Sequence, residues 1–151
     1  MIYNKERHKE LVRNFLELKN QDNLSIHYDS ENYLELLDYN IEVEEQVFWT
    51  HREEFFHIMK NFLDNISNFD EFEIAFTLLF RKTREEVNMF KQDLEKIEKF
   101  QPSTRADRFA SYMTYIFREF EAVEDEYITK QELKDDIEKT YFKVRSSLNE
   151  E

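Results

Sequence analysis

Apolar residues recur along this chain at intervals of three and four, the spacing that lines one face of an α-helix. Leu11, Val12, Phe15 and Leu16 mark a first amphipathic helix over Glu6 to Lys19. The polar run from Asn20 to Ser30 carries no such face and predicts a loop, with Ser30 as the cap of the next helix. Tyr33, Leu34 and Leu37 form a short apolar face, and Asn40 is placed to end it in the left-handed conformation. From Ile41 the pattern lengthens: Phe48, Phe55, Met59, Phe62 and Ile66 follow one another by seven, four, three and four residues, a long core-facing helix.

Helix starts are marked by a repeated capping form, a short polar residue with Glu three positions later. Asn68 with Glu71 opens a segment whose apolar mass is Ile74, Phe76, Leu78, Leu79 and Phe80. Thr83 with Glu86 opens the next, where Val87, Phe90, Leu94 and Ile97 form a heptad-like seam that should stop near Pro102. Ser103 is placed to cap a helix with the broadest apolar face in the chain: Phe109, Tyr112, Met113, Ile116, Phe117, Phe120 and Val123. That face predicts a central position. Thr129 with Glu132 starts the last helix, with Leu133, Ile137, Tyr141, Val144 and Leu148 packing back.

No segment reads as a strand, no repeat of fixed period emerges, and no linker divides the chain. The expected fold is all-α, an antiparallel bundle of about four core helices over 41–151 with an N-terminal helical extension over 1–40. Composition supports it. There is no glycine and one proline in 151 residues, so the punctuation of sheet proteins is missing while good helix formers run throughout.

The absence of glycine also narrows the chemistry. Phosphate-cradling loops need glycine for close backbone approach, so P-loop and dinucleotide fingerprints are excluded. With no cysteine, disulfides and thiolate chemistry are excluded too. No segment has the apolar length of a membrane span or the apolar stretch of a secretory leader, so a cytoplasmic protein is expected, with an organellar stroma or matrix as the alternative.

A formal net charge of −13 repels nucleic acid and anionic membranes and attracts basic partners. The acids concentrate in the middle: residues 41–81 carry nine acids against three bases, residues 82–102 five of each.

Asp64-Asn-Ile-Ser-Asn-Phe-Asp-Glu-Phe-Glu73 tests poorly as a calcium loop, because Ile66, Phe69 and Ala75 fall where a ligand, the glycine and the bidentate acid belong. Glu54 and His57 have the Glu-x-x-His spacing of di-iron bundles, but the other histidines, His8, His27 and His51, supply no second copy on the later helices. No metal or cofactor is expected. Ser67, Ser103 and Ser111 are accounted for as turn, cap and helix residues, and no feature calls for an enzyme.

The run NFLDNISNFDEFEIAFTLLFRK, with FREFEAVEDEYITKQELKDDIEKTYFKV further on, resembles the colicin D-type immunity family of bacterial self-protection proteins. The shared features are a helix ending in Phe-Leu, an Ile-Ser turn, an acid-rich Glu-Phe-Glu helix start and a later acidic turn into the last helix. They cover roughly residues 43–148, with Glu85 to Ser111 unaligned and the first 40 or so outside the match. The resemblance implies a helical bundle that binds a basic toxin nuclease domain and blocks its RNA-binding cleft. It implies Asp70, Glu71 and Glu73 as partner-binding acids at one turn, and Glu121, Glu124, Asp125 and Glu126 at the other. The alternative is a non-catalytic adaptor or accessory subunit of a larger assembly, possibly organellar, anchored by residues such as Tyr39 and Trp49.

Overall fold

A computed structural model describes residues 3–20, 31–100 and 106–149. Ser30, Pro102 and Ser103 lie outside the described residues, as does the expected loop from residue 21 onward. Among the described residues the chain forms helices only: α1 (Lys5–Asn20), α2 (Glu31–Thr50), α3 (Arg52–Leu63), α4 (Phe69–Phe90), α5 (Leu94–Lys99), α6 (Ala106–Glu124) and α7 (Lys130–Asn149).

The bundle core is made by α3, α4, α6 and α7, joined by the C-terminal end of α2, whose buried Phe48 packs on Phe55 and Phe80. Phe56 meets Tyr141 across α3 and α7, Phe62 stacks on Phe72 across α3 and α4 with ring centres 4.4 Å apart, and Phe80 stacks on Phe117 across α4 and α6 at 4.1 Å. Packing of α6 on α7 closes the ring. Phe55, Phe72, Phe76, Phe109, Met113, Leu133 and Ile137 are sealed inside, each at roughly 1.5–3 kcal/mol of apolar transfer. The central position expected of α6 holds, since it packs on α2, α4 and α7.

Two of the bundle's helix–helix connections share one turn geometry. In the turn after α3, the amide of Asn65 donates to the Phe62 carbonyl and that of Ile66 to the Asn61 carbonyl. After α6, the amide of Glu126 donates to Val123 and that of Tyr127 to Ala122, in the same pattern. Asn65 and Glu126 both take the left-handed conformation, with φ of 60° and 63°. This is the paired-bond helix ending that glycine normally completes. A capping box follows each turn: Asn68 and Glu71 exchange bonds of 2.9 and 3.1 Å, Thr129 and Glu132 bonds of 3.1 and 3.4 Å. The expectation of no repeat of fixed period concerns sequence period, and the likeness of these two turns lies in their backbone. The two turns share few residue types, Asp64 with Asp125 and Glu71 with Glu132 among them, so the likeness is read from the backbone.

A second layer covers the other end. Leu11, Val12, Leu36, Tyr39 and Ile97 cluster between α1, α2 and α5, next to Val43, Val47, Val87 and Phe100. The first helix is seated in this layer, with the Arg7 guanidinium paired to both Glu35 carboxylate oxygens at 2.9 and 2.8 Å and Lys9 paired to Glu98.

Several local expectations are corrected. Asn40 does not end a helix: α2 runs from 31 to 50, so the position between residues 40 and 41 lies inside it. The break comes at His51, where Arg52 Nη1 donates to the Trp49 carbonyl at 3.0 Å and His51 bridges Glu54 at 2.8 Å and Glu86 at 2.6 Å. Thr83 and Glu86 do not cap a helix, because α4 continues through both. The buried Thr83 hydroxyl donates to the Leu79 carbonyl at 2.8 Å, which satisfies it within the apolar seam. The Val87–Ile97 seam is split instead by Asp93, whose Oδ1 accepts from the amides of Glu95 and Lys96. Ile66, Ile74 and Leu78 are not core residues, being 71%, 61% and 63% exposed. Ile66 lies past the end of α3, and the buried face of α4 runs through Phe72, Phe76, Leu79 and Thr83, leaving Ile74 and Leu78 outside.

Candidate functional site

Both hairpin turns lie at the same end of the bundle. Lys134 Nζ, in the first turns of α7, donates to Asn65 Oδ1 at 2.5 Å, and Lys130 Nζ sits 4.9 Å from the centre of the Phe69 ring at the start of α4. Phe69 and Phe72 pack against Phe120 near the end of α6. The fold therefore brings together two acid sets separated by about fifty residues of sequence: Asp70, Glu71 and Glu73 with Glu121, Glu124, Asp125 and Glu126.

These seven carboxylates are not equivalent. Glu71 is committed to its capping box. Asp70 lies in the first turn of α4, where the helix dipole favours a negative charge. Glu73 is half-buried and takes the place on α4 that Lys134 takes on α7 after the matching turn. Glu121 and Glu124 lie in the last turn of α6, followed by Asp125 and Glu126, all exposed, and no basic residue occupies that turn. There the dipole opposes negative charge. The matching end of α3 carries Lys60, paired to Asp64 at 2.9 Å, so only the second turn is left uncompensated. Glu126 adds a backbone cost, since a non-glycine residue in the left-handed region is disfavoured by roughly 1–2 kcal/mol. None of Asp70, Glu73, Glu121, Glu124, Asp125 and Glu126 forms an ion pair among the described residues.

Other polar features are structural in character. Glu54, half of the Glu-x-x-His element, is taken by His51, while His57 faces Asn61 at 3.3 Å. Among the described residues no group of three or more His, Asp or Glu is arranged to hold a metal ion. An open groove of about 560 Å³ between α2, α4 and α6 is lined by Glu44, Glu45, Arg84 and Arg118, a mixed-charge wall with no single preference. Tyr39 is buried and Trp49 is half-buried, edge-on to Phe109 with the Arg52 guanidinium 4.6 Å from its ring centre. Tyr39 therefore offers no interface anchor, whereas Trp49 keeps part of its surface exposed.

Three features of this end escape sequence reading. They are the left-handed Asn65 and Glu126, the exposed Ile66 and Tyr127 that follow them, and the shared end itself. A usable signal was present: in a chain without glycine, any helix end that closes through the left-handed region must place another residue there, as Asn65 and Glu126 do. No family model matches the chain, and no curated protein or solved structure matches it. No helix among the described residues is long and apolar enough to cross a membrane.

Proposed function

We propose that this protein is a non-catalytic binder of a basic protein, acting through the turn end of its bundle as an immunity-type inhibitor that covers the RNA-binding cleft of a toxin nuclease. The observation that carries the reading is the carboxylate set at the C-terminal end of α6, held against the helix dipole without a counter-charge. A cationic partner relieves that repulsion, whereas the isolated protein gains nothing from it. A nuclease cleft must be basic to hold phosphates, so the same carboxylates compete for it and speed association by steering.

The test is capture of partners by tagged protein from native extract at low salt, identified by mass spectrometry, alongside a D70N/E73Q/E124Q/D125N variant. Retention of a basic nuclease by the parent, its loss from the variant and its elution by moderate salt support the reading. Recovery of equal amounts on both proteins overturns the site. The adaptor reading rests on the partly exposed Trp49 and on Leu34, Leu37 and Ile41, an exposed row on α2, in place of the buried Tyr39. A salt-resistant assembly lost on L34S/L37S/I41S substitution would favour it.

A further inference from the structure

Ile66 and Tyr127 occupy the same place in the two repeated turns, one residue beyond the left-handed Asn65 and Glu126. An apolar residue here ordinarily packs back on the side chain whose carbonyl accepts its amide. Those side chains are Asn61 and Ala122, which offer little apolar surface to cover. Ile66 accordingly remains 71% exposed and Tyr127 82%, the highest exposure of any large apolar side chain among the described residues. The local helix-ending role therefore leaves both side chains unused.

Their setting is charged. Tyr127 follows the unpaired Glu124, Asp125 and Glu126, and Ile66 stands between Asp64, which is paired to Lys60, and the unpaired Asp70, next to Asn65 where Lys134 is bonded. Exposed apolar side chains flanked by charged ones are what a protein interface draws on, since charge sets encounter and buried anchors set residence. Resting on the reading above, we propose that Ile66 and Tyr127 are paired apolar anchors that seat this acidic end on a basic protein surface bearing two apolar recesses rimmed by Lys or Arg. The carboxylates alone would give fast, salt-sensitive and short-lived binding.

Two synthetic peptides of equal net charge test this: an oligolysine, and a peptide in which leucines alternate with the lysines. Calorimetric titration is run on the parent, on I66S/Y127S and on D70N/E73Q/E124Q/D125N, with circular dichroism confirming that each variant stays folded. The leucine-bearing peptide should bind the parent at least about tenfold more tightly than oligolysine, the effect of burying one large side chain. In I66S/Y127S the two peptides should become equal, with oligolysine binding unchanged. An advantage for leucine that survives I66S/Y127S, or that is absent from the parent, overturns the anchors. Oligolysine binding unaltered by the four-site neutralisation overturns the acidic site itself, a separate failure.

Discussion

Glu119 is a buried acid on α6, 6% exposed, and forms no ion pair among the described residues. Burial, together with the neighbouring Asp136 carboxylate on α7, pushes its pKa up to about 7 although the Tyr115 hydroxyl donates to it. Among the described residues its Oε2 has no hydrogen-bond partner. The folded protein therefore holds this proton more tightly than the unfolded chain does. Stability from this group is complete below the ordinary value of 4.5 and is lost as pH rises through about 7. At about 1.4 kcal/mol per pKa unit, the loss is roughly 3 kcal/mol above pH 7. Glu119→Gln keeps the shape and removes the charge. Urea unfolding followed by helical circular dichroism should show parent and variant close at pH 4.5, with the variant ahead by about 2–3 kcal/mol at pH 8. An offset between the two that stays constant across this range would refute the assignment.

Other consequences follow from the same core and turns. Burial drives the pKa of His8 down to about 4, against the influence of Asn40, so its stability contribution is present above 6.5 and lost as pH falls toward 4. His8→Gln, which keeps an acceptor for the Tyr3 hydroxyl, should flatten the decline between pH 6.5 and 5, measured by urea midpoints. Glu126→Gly should stabilise by about 1 kcal/mol by relieving the left-handed strain, seen as a higher melting temperature. Neutralising Glu121, Glu124 and Asp125 should raise the melting temperature at low salt, with the gain shrinking as salt screens the α6 dipole. Phe72→Ala should cost about 3–5 kcal/mol of unfolding free energy, since Phe72 stacks on Phe62 and is sealed within the bundle.

Sequence by itself determined the helical class, most of the buried face and two of the three capping boxes. These depend on nearest neighbours along a helix, and a period of three to four residues with a short polar cap fixes them locally. It determined the seven candidate acids only as two separate stretches. The tertiary structure decided what local pattern leaves undetermined. Thr83 and Glu86 have the form of a cap, but Thr83 is drawn into the core between Leu79 and Val87 and Glu86 is bonded to a histidine 35 positions away. Ile74 and Leu78 are as apolar as any core residue and still face outward, because burial depends on which side of α4 meets its neighbours. The same dependence on packing set the two acidic turns at one end, left the end of α6 without a counter-charge and exposed Ile66 and Tyr127. Charges and turns are local properties of a chain, but a surface is made by how its helices are stacked.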